Sequence, residues 1–115
     1  MLASMLVPEE ILQHFELVGV EEKEEEFVLR LEENKDRIPR AMYSKKKAVQ
    51  DGFCNPVELQ TFPVKGKRVY LQLYRRRWKE HTDGQQHYSN TYDFHEPGMK
   101  ATRQFGAFLK DAFGN

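Results

Sequence analysis

From residue 57 onward the chain is patterned for strands, and this constrains its fold more than any other feature. Val57 to Phe62 leads through Pro63-Val64-Lys65-Gly66 into Val69-Tyr70-Leu71-Gln72-Leu73-Tyr74, which continues into Arg75-Arg76-Arg77-Trp78. Strand formers on both sides of a Pro/Gly turn predict antiparallel strands. Asp83-Gly84 is a two-residue hairpin signal, and residues 87 to 94 alternate as the expected returning strand. An earlier pair of strands is expected at residues 16 to 20 and 26 to 32, where Phe27, Leu29 and Leu31 alternate with Val28, Arg30 and Glu32 around the acidic turn Glu21 to Glu25.

Helices are expected at both ends. Val7 to Phe15 places Pro8 at a first helical position, Glu9 and Glu10 against the positive end of the dipole, and Ile11, Leu12 and Phe15 on one face. Near the other end, Phe105, Phe108, Leu109 and Ala112 fall at i, i+3, i+4 and i+7, with Thr102 as the cap and the aromatic stripe as a lid on the sheet. Between Asn34 and Pro56 no periodicity is clean, and Pro39, Lys45-Lys46-Lys47 and Gly52 interrupt it. That stretch predicts a long connection with one helical turn near residues 43 to 50. The fold class is therefore α+β: small antiparallel hairpins, a short N-terminal helix and a C-terminal amphipathic helix. At 115 residues one domain is expected, divided into an acidic helix and hairpin (1–35), a connection (36–56) and a basic hairpin region with the last helix (57–115).

Charge is uneven along this chain although the formal net charge is zero. Residues 1 to 35 hold ten acids and three bases, a net of -7, and the remaining residues carry the balancing +7. Such asymmetry is either a basic part facing a polyanion or a set of solvated faces. No apolar run reaches the roughly 18 residues of a membrane span, and no positively charged stretch precedes Lys23 as a signal peptide would require. A cytoplasmic protein without membrane contact is expected. Cys54 is the single cysteine, so an internal disulfide or a multi-cysteine zinc site is excluded. His14, His81, His87 and His95 have no paired-ligand spacing, and no GxSxG, HExxH, GxxxxGK or GxGxxG occurs. Neither a metal, another cofactor nor catalysis by this chain alone is expected.

With Asp83-Gly84 as the turn, one face of the central hairpin would pair Leu73 with Phe94, Arg75 with Tyr92, Arg77 with Asn90 and Lys79 with Tyr88. The other would set Tyr74, Arg76, Trp78 and Glu80 against Asp93, Thr91, Ser89 and His87. A ribbon that interleaves basic and aromatic residues fits a DNA major groove, or stacks on unpaired bases. Alternatively, Arg75 and Lys79 only lie over Tyr92 and Tyr88 and stabilise the hairpin by cation–π contact.

Gly52-Phe53-Cys54-Asn55-Pro56, then Phe62-Pro63-Val64-Lys65-Gly66-Lys67-Arg68-Val69-Tyr70-Leu71, then Arg75-Arg76-Arg77-Trp78 and the later Thr102-Arg103 before an apolar helix, together resemble the N-terminal region of bacterial insertion-sequence transposases. More narrowly, they resemble the small, separately encoded N-terminal region found beside a catalytic frame in Aon-type elements. In larger related transposases this region is a zinc ribbon ahead of the DDE nuclease, but after Trp78 this chain has Lys79, Glu80, His81 and Thr82 in place of the ribbon's cysteines. The resemblance implies a protein that binds double-stranded DNA at the terminal inverted repeats and acts with a separate catalytic subunit, since a DDE domain of ~100 to 150 residues would not fit beside this core. The implied contacts are Arg75, Arg76, Arg77 and Lys79, with Trp78 anchoring the ribbon and Lys65, Lys67, Arg68 and Arg103 neutralising phosphates. A competing expectation is a protein interaction module that docks the catalytic subunit or forms a homodimer; a third is a remnant that binds nothing.

Overall fold

The computed structural model describes residues 3–43, 47–81 and 84–113. Lys45, Lys46, Thr82 and Asp83, and with them the expected Asp83-Gly84 turn, lie outside the described residues. The described residues form an α+β fold with six strands in two sheets and helices near each end.

Two hairpins make the main sheet. β1 (Phe15–Glu22) and β2 (Glu26–Glu33) meet at the acidic turn, where the Lys23 N–H donates to the Glu26 carbonyl at 2.8 Å. A bulge between Leu17 and Gly19 leaves Val18 without an opposite residue. β4 (Val57–Val64) and β5 (Lys67–Tyr74) are closed by Lys65-Gly66, whose φ values of 53° and 75° are the positive pair that a type I′ turn requires. β2 and β5 then pair in parallel, placing Leu29 beside Leu71 and Leu31 beside Leu73, so the strand order is β1-β2-β5-β4. The inward residues Leu29, Leu31, Leu59, Val69, Leu71 and Leu73 form the core with Val7, Ile11, Phe15 and Phe94.

β5 runs parallel to β2 and antiparallel to β4, so β2 ends at the edge of the sheet where β4 begins. The connection from 34 to 56 stays at that end. Residues 44–46 of the expected helical turn near 43–50 lie outside the described residues; on either side of them the connection holds a 3-10 turn at Arg40–Met42, which buries Met42, and a strand, β3 (Val49–Phe53). β3 exists because the chain supplies a partner for it beyond Tyr74. β6 (Arg76–Lys79) continues the line of β5 after a break at Arg75 and pairs antiparallel with β3. The break is chemical: the Arg76 N–H donates to the Glu33 carboxylate at 2.8 Å instead of to a strand neighbour.

This corrects the expected central hairpin. Leu73 pairs with Val57 and Leu31, not with Phe94, and the partner of β6 is β3 rather than residues 87–94. One bridge, Trp78 with Tyr88, joins β6 to the later segment, so neither Arg75–Tyr92 nor Lys79–Tyr88 is a pair. Tyr92 and Phe94 instead stack on each other at 5.1 Å and pack against Phe15. Burying two aromatic rings beside the core outweighs a solvated ladder.

The N-terminal helical segment is shorter than expected: α1 (Ala3–Leu6) and α2 (Glu9–Leu12) are single turns, and Phe15 already belongs to β1. α3 spans Arg103–Phe113 and is capped as expected, with the Phe105 N–H donating to Thr102 Oγ1 at 3.3 Å. Its apolar stripe is not a lid. Phe105 and Gly106 are buried against Phe62 and Glu96, while Phe108, Ala112 and Phe113 are exposed. The radius of gyration is 16.2 Å, against about 13 Å for a compact domain of this size, and the extents of 50 × 31 × 23 Å describe an elongated molecule. No helix among the described residues is long and apolar enough to cross a membrane.

Candidate nucleic-acid interface

Arg76–Lys79 lie in a two-stranded ribbon, but its second strand is β3 in place of the expected residues 87–94, and Arg75 falls in the break before it. In the β3–β6 pair Val49 lies opposite Lys79, Gln50 opposite Trp78 and Phe53 opposite Arg76. The intervening bulge contains Asp51 and Gly52, the latter at φ 74°, a conformation that glycine adopts without strain. Bulges re-aim side chains, and this one sets the Asp51 carbonyl and carboxylate in front of Arg77. Arg77 Nε donates to the Asp51 carbonyl at 2.9 Å. Three cationic or basic groups surround Asp51 Oδ2: His87 Nε2 at 2.6 Å, Arg77 Nη2 at 3.8 Å and Lys79 Nζ at 3.9 Å. The hydrogen bond from His87 holds the Asp51 carboxyl below its ordinary range against the opposing effect of burial, with lesser help from the charges of Lys79 and Arg77.

Arg76 points the other way. It is buried, with Nε donating to the Glu33 carbonyl at 2.6 Å and Nη1 to Gln50 Oε1 at 2.7 Å, and its guanidinium lies 5.1 Å from the Phe53 ring centre. Glu33 is itself fully buried. Its Oε1 accepts from the Arg76 N–H and its Oε2 accepts from Asn90 Nδ2 at 2.8 Å and from the Tyr92 hydroxyl. The Tyr92 phenol is raised well above its ordinary range, first by burial and then by its bond to the Glu33 carboxylate. This network fastens residues 90–92 to the sheet, and Arg76 serves it rather than the surface.

The remaining expected contacts are scattered. Arg75 is half-buried, donates from Nη1 to the Asn90 carbonyl at 2.8 Å, and walls a cavity of about 210 Å³ with Phe15, Leu59, Leu73 and Phe94. Trp78 is buried and lies opposite Gln50 in the ribbon. Lys65, Lys67 and Arg68 lie at the opposite end of β5, a strand of roughly 25 Å at ~3.3 Å per residue. There Lys67 Nζ donates to Glu22 at 2.8 Å and holds that carboxyl below its ordinary range, and Arg68 lies 3.8 Å from Glu26. Arg103 is paired with Asp93 at 3.1 Å and Glu10 at 3.8 Å. The basic and acidic portions of the sequence therefore meet within the fold, and Lys65, Lys67, Arg68 and Arg103 form no continuous surface with Arg77 and Lys79.

Sequence reasoning missed Asp51, Glu33 and His87. Gly52 one residue after Asp51 was the available sign of a bulge; nothing local marks Glu33 as buried. Among the described residues no three His, Cys, Asp or Glu side chains are grouped to share a metal ion. Comparison with known proteins gives no match: no protein-family model, curated protein or solved structure matches this chain.

Proposed function

We propose that this chain is the DNA-binding N-terminal region of an insertion-sequence transposase, acting in the cytoplasm on the terminal inverted repeats while a separate DDE subunit cleaves and joins the strands. The observation that carries this reading is the β3–β6 ribbon. It has groove-compatible width, Arg77 and Lys79 lie along it, and the acidic turn Glu21 to Glu25 is at the far end of the sheet. Arg77 is 43% exposed in its side chain and so is available to a base edge or a phosphate. The test is fluorescence anisotropy with labelled duplexes carrying the element's terminal repeats or a scrambled sequence, from about 50 to 300 mM salt. Preferential binding to the repeats, weakening by a slope of roughly -0.9 per neutralised phosphate, supports the reading. No salt-dependent binding to either duplex overturns it.

A second reading, docking of the catalytic subunit or pairing of two copies, is favoured by one specific surface. Met5 and Phe62 line a common groove, Phe108 lies 5.6 Å from Phe62, and Phe113 is 83% exposed. Size-exclusion chromatography with light scattering, with and without the catalytic subunit, distinguishes the two: Phe108→Ser abolishes assembly under the second reading and leaves duplex binding intact under the first.

A further inference from the structure

Three side chains from two segments converge on a single oxygen of one carboxylate at the centre of the ribbon, and an arrangement of this kind binds a phosphate when the carboxylate is elsewhere. Arg77 and Lys79 come from β6 and His87 from the segment that returns past Trp78. All three lie within 4 Å of Asp51 Oδ2, at 3.8, 3.9 and 2.6 Å. Arg77 does not depend on that carboxylate for its position, because its Nε is fixed by the backbone carbonyl of the same residue at 2.9 Å. Its remaining nitrogens form the fork that suits a phosphate. The site is open to solvent: the side chains of Asp51 and His87 are each 38% exposed. Exposed ion pairs of this sort are weak and exchange partners readily.

We propose that Asp51 is an internal placeholder for a phosphate, occupying an anion site made by Arg77, Lys79 and His87 until a backbone phosphate of bound nucleic acid displaces it. The placeholder holds Lys79 and His87 beside the independently held Arg77 and lowers the affinity of the free protein for stray anions, since every incoming anion must first release the carboxylate. The proposal rests on the ribbon being the DNA-contacting surface, but the anion site itself is open to a separate test.

The probe is inorganic phosphate, titrated into the full chain while the Arg77 Nε–H and His87 ring resonances are followed. The parent chain shifts at those two residues and not at Lys67. Asp51→Asn keeps the size and removes the charge, and one unit charge at about 4 Å in a water-like dielectric corresponds to a gain in phosphate affinity of about fivefold. Glu22→Gln removes the same charge from the Lys67 pair at the other end of the sheet and changes affinity by less than about twofold. Equal gains from both substitutions, or phosphate shifts that miss Arg77 and His87, overturn the proposal. A duplex titration separates this from the broader reading. Tighter phosphate binding by Asp51→Asn with no duplex binding by either protein sustains the anion site and refutes DNA recognition. Duplex binding that Asp51→Asn leaves unchanged or weakens sustains DNA recognition and refutes the placeholder.

Discussion

Glu33→Gln tests whether the buried carboxylate holds the ribbon to the sheet. The glutamine carbonyl can still accept from the Arg76 N–H, but its amide group then faces Asn90 Nδ2 and the Tyr92 hydroxyl, where the carboxylate accepted both. Asn90 Nδ2 is a donor and retains only the Arg37 carbonyl, at 2.5 Å. One buried charge-assisted bond is lost outright, a cost of about 1.5–3 kcal/mol. Arg76, 8% exposed, keeps the carboxylate nearest its guanidinium, Glu32 at 3.9 Å, together with its bonds to the Glu33 carbonyl and to Gln50. The lost bond is therefore the main cost, and the expected loss is about 2 kcal/mol, or a fall in Tm of about 8 °C for a chain of this size. Urea and thermal unfolding followed by circular dichroism at pH 7 measure it, and a Tyr92→Phe cycle should show coupling of at least about 1 kcal/mol between the two sites. A loss below about 1 kcal/mol would show that the network is dispensable and that packing alone fixes residues 90–92.

Gly106→Ala should destabilise by about 1–2 kcal/mol despite alanine's better helix propensity, because the new Cβ would lie 2.4 Å from Glu96 Cβ; thermal unfolding reads the sign. Lys65→Gly should stabilise by about 0.5 kcal/mol in urea titrations, since it relieves a positive φ of 53° at the cost of a more flexible unfolded chain. The raised Tyr92 phenol makes alkaline pH destabilising: its contribution is complete below its ordinary value of 10.0 and is lost as pH rises from there toward the higher folded-state value. Tyr92→Phe should flatten the fall in stability measured above pH 10.

Elements whose signals are local were legible in the sequence. Phe27, Leu29 and Leu31 point inward from β2 because alternation alone selects a face, and Thr102 caps α3 because a hydroxyl before an apolar helix has an N–H to receive. The turn at Lys65-Gly66 was marked by its glycine. What escaped was pairing at a distance. The parallel contact of β2 with β5 joins residues with no turn between them, and β3 carries too little periodicity to announce a strand until β6 is there to receive it. Arg76 illustrates the same limit within the candidate site. Its neighbours Arg75 and Arg77 are chemically identical to it, and only the placement of Glu33 beneath the strand turns the middle arginine inward. The expected surface of three arginines therefore contracts to Arg77 with Lys79, while the half-buried Arg75 faces the core cavity.

The parallel contact between β2 and β5 makes this sheet an assembly of two units that can each form early. Either hairpin closes over a turn of a few residues, on a timescale of microseconds. Bringing Leu31 beside Leu73 requires the whole connection between them to be gathered first, and that chain entropy is recovered only when the leucines meet. The slow step of folding is then expected to be the docking of the two hairpins. Changes at Leu29 or Leu71 should slow refolding, whereas changes in α3 should mainly hasten unfolding. Cutting the backbone between residues 34 and 56 would convert that docking into a bimolecular reaction, with a refolding rate that rises with fragment concentration.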